Sequence, residues 1–427
     1  MTGHTRPRSL RWASIAAGAA CALSAQAQQA PSSSTPSGTA PSPYSIGVSE
    51  TLTHESNLFR DSSDEQADWV SVTGLNFGLD QMLGRQRLHG LASLQLNRYR
   101  DRDELNNTGH DVHLALDWET IADLSGVLGV QSTRKQYQFG LDSALPSNEK
   151  NIESTDAAFL QGKLGGMGQY ELLAGANALR RDYSASAFAS QEFSQWGFEG
   201  GGGWHPGPDL RSALVARYTR ISRPNVVTDP GPPPVVLFGD DVARRDLELS
   251  LGWQASGASH FDLRVARSHE LHSVWDDRSF WTGSIAWDWV PSGKLRFTTR
   301  LLRDTEGISG NLASAEATLP ANPAGDQLRD AFEWTGQWAA TPKISVVAAA
   351  QYSRRRLTGL GLVDNVLHHA VDRTTSLSLG MRYSPLRSLD LTCDLHNETR
   401  DTNTTDFTLT RPYDSLTVGC GLQFWLR

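Results

Sequence analysis

Apolar and polar residues alternate with a period of two along almost the whole chain after residue 43. Clear examples are VHLALDWE at 112–119, LELSLGWQ at 247–254 and LDLTCDLH at 389–396. Successive side chains of a strand point to opposite faces, so each segment predicts a strand with one apolar and one polar face. The 3.6-residue period of an amphipathic helix is not evident in this region. The pattern predicts an all-β protein.

The connections between the predicted strands alternate between short turns and long polar loops, which gives about 18 strands, within a range of 16–18. An even count places both termini on the same side. This pattern is typical of a transmembrane antiparallel up-and-down β-barrel of the bacterial outer membrane, with short periplasmic turns and long extracellular loops. Eight short turns are predicted, at Leu83–Arg85, Ala122–Ser125, Gly165–Gly168, His205–Asp209, Ala255–Ala258, Pro291–Lys294, Ala340–Lys343 and Pro385–Ser388.

A closed barrel is also what the physics of a bilayer requires. In hydrocarbon every backbone N–H and C=O group must be paired, and a closed sheet has no free edge. The alternative is a soluble antiparallel protein such as a propeller, whose blades repeat every ~40–50 residues. No such repeat is evident in this chain, and its short loops fall on one side only.

The first 43 residues predict export rather than part of the barrel. Residues 1–27 have a basic start, a short apolar run and an Ala25-Gln26-Ala27 cleavage site, which is typical of a secretory signal peptide. A lipoprotein site at Cys21 is the weaker alternative. Residues 28–43 predict a Pro/Ser-rich periplasmic tether, and residues 44–427 the outer-membrane barrel.

Charge and hydropathy narrow the class of protein further. Removing residues 1–27 takes three arginines away, so Lys+Arg falls from 39 to 36 against 47 acids, and the net charge becomes 36 − 47 = −11. An acidic exported protein is not expected to bind nucleic acid. No later segment approaches the ~18 uninterrupted apolar residues of a membrane helix.

The tryptophans are numerous, and most are predicted to lie near strand ends. Interfacial girdles of a membrane barrel use rings with an apolar body and a polar tip, so this placement favours a membrane barrel over ordinary core packing. The nine positions are Trp69, Trp118, Trp196, Trp204, Trp253, Trp281, Trp289, Trp334 and Trp338.

The polar face of the strands predicts the lining of the barrel lumen. A water-filled barrel needs such residues for solvation, and mixed charges can also tune what passes through it. The candidate lumen-lining residues are His113, Asp117, Glu119, Glu248, Asp262, Arg264, Arg296, Arg300, Asp390, Asp394 and His396.

No catalytic, metal or cofactor site is predicted. Asp394 and His396 with serines on neighbouring strands would suit a hydrolase, but no third group is set by spacing. The chain has no Cys/His cluster with metal-ligand spacing. Without a nucleotide-binding motif, any transport against a gradient would depend on other machinery.

Cys393 and Cys420 are predicted to lie on the apolar faces of the last two strands. Their midpoint falls in the loop between those strands, so a symmetric hairpin places them opposite each other. A disulfide is possible in the oxidising envelope. Cross-strand neighbours are often poorly shaped for one, so two lipid-facing thiols are the default expectation.

Three further segments have two interpretations each. Basic clusters at 98–102 and 354–356 either pair with lipopolysaccharide phosphates or mark the edge of the apolar belt. The PGPPPVVLF loop at 230–238 either constricts the pore or packs over the rim.

The last strand, SLTVGCGLQFWLR, has aromatic residues near its end, as barrel-assembly machinery generally requires, but it finishes in Arg427.

The first strand is apolar at its start and polar at its end, where THESNLFR at 53–60 follows PYSIGVSETL. Since the strand begins on the periplasmic side, these residues would lie where it leaves the hydrocarbon. A solvated strand tip is the preferred interpretation, and a sugar-binding rim is the other.

SIGVSETLTHESNLFR at 45–60 and GRQRLHGLASLQLNRYRDRDELNNTGHDVHLALDW at 84–118 carry a family resemblance. They resemble the outer-membrane β-barrel proteins of exopolysaccharide operons, the EpsL type associated with exosortase systems. The resemblance implies a non-catalytic role in export or surface handling of an exopolysaccharide. The partners that follow from this role are the polymer and periplasmic export proteins. The barrel itself predicts outer-membrane lipid, lipopolysaccharide and barrel-assembly machinery as further partners. A general diffusion or uptake porin and a surface polysaccharide-binding anchor are the alternatives.

Overall fold

The computed structural model describes residues 42–426 except 122, 141–147, 166–167, 230–234, 238, 274–275, 306–324, 361–366 and 405–409. The predicted signal peptide and residues 28–41 of the tether lie outside the described residues.

No helix within the described ranges has the length and apolar character needed to span a bilayer.

Eighteen antiparallel strands form one barrel sheet, and a two-stranded hairpin, β10–β11, lies in the connection between β9 and β12. Short 3₁₀ turns occur at Asp103–Leu105 and Ser186–Gln191. The strands are β1 Tyr44–Glu55, β2 Asp68–Leu83, β3 Gln86–Tyr99, β4 Asn107–Glu119, β5 Leu124–Gln136, β6 Ile152–Leu164, β7 Tyr170–Tyr183, β8 Phe193–Gly207, β9 Leu210–Ser222, β10 Val226–Asp229, β11 Val235–Leu237, β12 Val242–Ser256, β13 Ser259–His272, β14 Arg278–Ser292, β15 Leu295–Thr305, β16 Gly325–Thr341, β17 Ile344–Leu360, β18 Leu367–Leu386, β19 Leu389–Thr402 and β20 Tyr413–Leu426.

The first and last strands close the barrel. β1 pairs with β2 on one side and with β20 on the other, in a register that runs from Ile46 opposite Leu426 to Glu55 opposite Thr417. The start of β1 and the end of β20 therefore lie at the same end. The prediction of a closed antiparallel barrel with an even number of strands is confirmed, at the upper end of its range. Backbone pairing around the ring leaves no free edge among the described barrel strands.

The eight predicted short turns all connect neighbouring strands at one end of the barrel, and that end is periplasmic by the usual architecture of such barrels. The other end carries the long connections and is the extracellular mouth. Each strand crosses the bilayer in an extended backbone, so a strand of 13 residues at ~3.3 Å per residue is long enough even when tilted.

The apolar faces point outward, away from the lumen. Leu247, Leu249 and Trp253 on β12 remain about half exposed, whereas Asp246, directly before Leu247 in sequence, is buried. Large apolar side chains this exposed occur around the whole barrel, as expected for a surface covered by lipid. The structure is thus a transmembrane barrel of the outer-membrane type.

Aromatic rings form a row on the outward face near the periplasmic end. Neighbouring rings stack with centroids 5.4–6.1 Å apart across β12 to β16. This row fits one arc of an interfacial girdle and includes three of the nine tryptophans from which the girdle is predicted. It consists of Trp253, Phe261, Trp287, Trp289, Phe297 and Trp334.

Replacing Leu249 by arginine is expected to destabilise the barrel by about 2–4 kcal/mol, because the charge would enter hydrocarbon near the middle of β12. Ser250→Arg on the same strand is the control, since Ser250 lies on the lumen face and its replacement stays hydrated. The free energy of unfolding in lipid vesicles measures both. Equal effects of the two changes would contradict the assignment of the faces.

Cys393 and Cys420 form a disulfide in the structure. They are directly opposite in the β19–β20 register, with Cα atoms 4.1 Å apart, as the position of their midpoint predicts. The default expectation of two free thiols is therefore wrong. The register brings the two side chains together on the outward face, where an oxidising envelope favours the bond.

The proline-rich loop is described only in part. Val226–Asp229 and Val235–Leu237 pair as the β10–β11 hairpin beyond the ends of β9 and β12. Residues 230–234 and Phe238 lie outside the described residues, so neither interpretation of this loop is decided.

Candidate functional site

The eleven candidate lumen-lining residues lie on four separate arcs of the barrel wall and do not converge on one site. Within their strands they alternate with the outward apolar residues, as Glu248 does between Leu247 and Leu249. Their contribution to a permeation path stays a prediction. By strand they are His113, Asp117 and Glu119 on β4, Glu248 on β12, Asp262 and Arg264 on β13, Arg296 and Arg300 on β15, and Asp390, Asp394 and His396 on β19.

Several of these residues form ion pairs with a neighbour on the wall, so charge on the described wall is largely paired. The three pairs that contain histidine are partly exposed and contribute little to stability, whereas the three that contain arginine are more buried. All six keep polar groups in fixed places along the lumen. The pairs are His113–Asp111 at 2.7 Å, Asp117–His89 at 3.2 Å, Glu248–Arg217 at 3.7 Å, Asp262–His260 at 3.1 Å, Arg300–Glu333 at 4.0 Å and Asp390–Arg382 at 2.6 Å.

The end of the segment THESNLFR at 53–60 is not a solvated strand tip. Residues Asn57, Leu58, Phe59 and Arg60 are buried, with exposures of 0, 4, 7 and 6 %. The preferred interpretation is therefore wrong, because the chain turns inward after β1 instead of continuing into solvent.

Side-chain and backbone hydrogen bonds hold this inward turn. The Asn57 amide donates to the carbonyl oxygens of Asp61 at 2.7 Å and Asp414 at 2.9 Å. Its Oδ1 accepts from the Asp61 backbone N–H at 3.0 Å. Asn57 thus ties the β1–β2 connection to the start of β20 and explains why a buried amide occupies this position.

Three connections pack together through an apolar group, which we call the loop core: Leu58 and Phe59 after β1, Leu105 between β3 and β4, and Phe139 after β5. The Phe59 and Phe139 rings meet edge to face with centroids 4.8 Å apart. Burial of these side chains favours an ordered arrangement of the three connections at the extracellular end.

Next to the loop core lie four charged residues and a tyrosine that we call the mouth cluster: Glu55, Arg60, Glu398, Arg400 and Tyr413. The Arg60 guanidinium lies 3.1 Å from the Glu55 carboxylate and 3.4 Å from that of Glu398. Tyr413 donates its hydroxyl to Glu398 at 2.5 Å. Arg400 lies over the Tyr413 ring, 4.7 Å from its centroid.

The mouth cluster shows that the connections fold into the barrel opening. Glu398 and Arg400 belong to the lumen face of β19, since they continue the alternation of Asp394 and His396. Arg400 donates to the Gly140 carbonyl oxygen at 2.6 Å. Gly140 belongs to the β5–β6 connection, which is separated from β19 by β4, β3, β2, β1 and β20 along the wall. The described part of this connection, up to Gly140, therefore extends across this part of the opening.

Arg60 and Gly140 also touch each other where the two connections meet. Arg60 has a φ of 52°, and Gly140 a φ of 73°, both in the left-handed region. A β-carbon on Gly140 would lie 2.6 Å from the Arg60 β-carbon. Such a close approach requires glycine at 140, and the left-handed Arg60 must be held by its ion pairs.

Electrostatics keep Arg60 charged in this buried place. Burial alone would lower the pKa of its guanidinium, but the neighbouring charges of Glu55, Tyr413 and Glu398 raise that pKa above its ordinary value. A charged Arg60 is therefore a permanent cation between two carboxylates, and it locks the connection to β1 and β19.

The two basic clusters divide between the faces of their strands. Arg98 is exposed on the outward face, whereas Arg102 bends inward over the Phe59 ring at 4.9 Å. Arg354 is exposed outward, whereas Arg355 is buried and bound to Asp372 at 2.6 Å. Each cluster thus supplies both a lumen residue and a lipid-facing residue.

No arrangement for catalysis is evident around His396, which is buried and lies 3.8 Å from Glu398. Within the described part of the chain, no group of three or more His, Cys, Asp or Glu could hold a metal ion. What the described residues can do is hydrate a passage, present fixed charges and narrow the extracellular opening.

Sequence reasoning missed most of the mouth cluster. A signal for Glu398 and Arg400 was present, because they extend the polar alternation of LDLTCDLH by two more positions. Arg60 and Gly140 carried no such signal. Both lie outside the strands, and their partner residues on β19 are 338 and 260 positions away in the chain.

No protein-family model matches the chain, and no curated protein matches its sequence. Among solved structures, OccK3 (OpdO) of Pseudomonas aeruginosa is 14% identical, covers 90% of this chain and 95% of its own, and has a TM-score of 0.45. The outer membrane protein opdK of the same organism is 11% identical, with coverage of 90% and 99% and a TM-score of 0.48. The siderophore receptor PirA of Acinetobacter baumannii is 7% identical, with coverage of 90% and 80% and a TM-score of 0.43. Likeness at this level assigns neither a solute nor a partner to this chain.

Proposed function

We propose that the protein is a non-catalytic channel that passes small hydrophilic solutes across the outer membrane. The single observation that carries the proposal is the mouth cluster, in which two extracellular connections fold into the barrel opening and bind β19 through Arg60 and Arg400. A hydrated wall with a narrowed, charged opening is suited to diffusion with selection by size and charge.

The wall below the mouth supports the same function. An 18-stranded barrel is wide enough to leave an aqueous lumen where its loops do not fill it. Charged pairs continue toward the periplasmic end, where Arg87 binds Asp80 at 2.7 Å and Arg382 binds Asp390 at 2.6 Å. These side chains would form hydrogen bonds with a polar solute at intervals along the path, in place of those that bulk water makes.

Planar bilayer recording of the purified full-length mature protein tests the proposal. We expect steady single-channel currents in symmetrical salt, and in a salt gradient a reversal potential that shifts when mouth-cluster charges are changed. Folded protein that inserts into the bilayer but carries no current at any voltage would contradict the proposal.

Passage of an exopolysaccharide is the second candidate, and the resemblance of residues 45–60 and 84–118 to EpsL-type proteins supports it. Residues 53–60 of this resemblance end at Arg60, in the connection that enters the mouth. A polymer channel would stay closed to small ions until export machinery opens it. Absence of resting current, together with polymer trapped in the periplasm of a deletion strain, would favour this candidate. Polymer shed into the medium would instead favour a surface anchor.

A further inference from the structure

A row of arginines on the lipid-facing surface is not used by the channel. Arg303, Arg354 and Arg373 lie on β15, β17 and β18 with their side chains outward and exposed. Register places Arg303 opposite Asp330 of β16, Asp330 opposite Arg354, and Arg354 opposite Arg373. The four residues therefore form one continuous line across four strands near the extracellular end. We call this line the arginine row.

The arginine row has more positive than negative charge. Asp330 is the one acid among these four residues and lies 3.7 Å from Arg303 and 2.6 Å from Arg356. The exposed Asp401 of β19 lies opposite Arg373 in the register, but no salt bridge joins the two in the described structure. Neither Arg354 nor Arg373 has an ion-pair partner among the described residues. Like charges directly opposite on neighbouring strands repel each other. An anion from outside the chain would relieve this repulsion and accept several charge-assisted hydrogen bonds.

Beside the arginine row, and largely on its membrane side, is a groove of about 640 Å³ in the outward face. Its outer end is formed by Arg303, Asp330 and Arg354. Gly283 lies in its floor and adds no side chain. The apolar walls are formed by Trp281, Ile285, Leu301, Phe332 and Tyr352.

The position of the groove limits what can occupy it. Its walls are outward-facing residues such as Trp281 and Leu301, 57 and 52 % exposed, which in a membrane meet acyl chains rather than water. Its volume lies within the ~300–1,000 Å³ of typical ligand sites. An occupant must combine an anionic head at the level of the arginine row with a hydrocarbon tail that extends toward the bilayer centre.

We propose that the arginine row and the groove form a binding site for one phosphorylated glycolipid of the outer leaflet. Arg303, Arg354 and Arg373 together bind its two phosphate groups, and an acyl chain lies in the groove between Trp281 and Tyr352. Arginine suits this role because its planar guanidinium binds a phosphate through two parallel hydrogen bonds. Asp330 holds Arg303 and Arg356 in place beside the phosphate groups.

Native mass spectrometry of the full-length mature protein in detergent tests the site, with diphosphoryl lipid A as the probe. The expected result is one tightly bound molecule, with at least tenfold weaker binding in the triple variant Arg303→Ala, Arg354→Ala, Arg373→Ala. The matched control is Arg98→Ala, Arg134→Ala, Arg245→Ala, which removes the same charge from outward arginines elsewhere and should bind like the unchanged protein. Equal loss in both triple variants would overturn the proposal in favour of a diffuse attraction. Both variants are checked for barrel folding by heat-dependent gel mobility.

Two further binding measurements test the identity of the ligand and the role of the groove. Lipid A without phosphates is expected to bind at least tenfold more weakly, and phosphatidylglycerol likewise, because its head group carries one phosphate. Equally tight binding of phosphatidylglycerol would overturn the glycolipid assignment. Leu301→Trp fills the groove without changing charge and is expected to weaken lipid A binding to a similar degree. Unchanged binding in this variant would overturn the acyl-chain part of the proposal.

Discussion

Replacing Arg60 by alanine is expected to release the β1–β2 connection from the mouth and to increase the single-channel conductance. The change leaves Glu55 and Glu398 buried without their shared cation, and breaking a buried ion pair from one side costs about 3–5 kcal/mol. This free energy is lost from the ordered arrangement of the β1–β2 connection. The backbone hydrogen bonds between the eighteen barrel strands stay intact. The exposed residues 62–65 should then be cut faster by protease in limited proteolysis.

Three companion variants separate charge from backbone effects. Arg60→Gly also removes the charge but accepts the left-handed φ, so it should open the mouth as Arg60→Ala does. Gly140→Val places a side chain against Arg60 and should open the mouth while every charge is kept. Arg100→Ala, at an exposed position outside the cluster, should change nothing. Conductance and proteolysis rates that do not differ between Arg60→Ala and Arg100→Ala would contradict a mouth narrowed by Arg60.

Replacing Arg355 by alanine is expected to lower the free energy of unfolding of the barrel by about 3–5 kcal/mol. Asp372 on the neighbouring strand is fully buried and accepts from Arg355 Nε at 3.0 Å and Nη2 at 2.6 Å. Without Arg355 it keeps the Thr410 hydroxyl at 2.8 Å but loses its direct ion pair. Urea unfolding in lipid vesicles, followed by tryptophan fluorescence, measures the change.

The adjacent residue supplies a close control for this prediction. Arg354 has the same chemistry and lies on the same strand, but it is exposed on the outward face, so Arg354→Ala should stay within about 0.5 kcal/mol of the unchanged protein. A double-mutant cycle with Asp372→Ala isolates the pair itself. Similar losses for Arg354→Ala and Arg355→Ala, or a coupling energy near zero, would show that the buried pair does not stabilise the barrel.

The architecture was predictable from the sequence because the pattern that defines each strand lies within that strand. Period-two alternation sets which face is apolar, and one residue of slip would turn the entire apolar set toward the lumen. This is why residues as distant as Leu114 and Leu249 point outward as expected. The positions of the short turns were also predictable from nearby residues, since glycine, proline and polar residues between alternating runs mark short connections.

The disulfide shows where such local reasoning reaches its limit. The midpoint of Cys393 and Cys420 correctly placed them opposite each other, because hairpin symmetry depends only on spacing. Whether the two sulfur atoms bond depends on the twist and spacing of β19 and β20, which no alternation pattern encodes.

The sequence by itself determined an all-β chain, the alternation of lipid-facing and lumen-facing residues, the eight short turns and an even strand count near 18. All of these follow from contacts between residues close in the chain or from the two-residue period of a strand. Only the tertiary structure decided that THESNLFR turns inward, that Arg60 lies between Glu55 and Glu398, and that Gly140 reaches Arg400. The physical reason is that loops have no period: their paths are set by ion pairs and apolar contacts with residues hundreds of positions away, which come within reach only when the barrel closes.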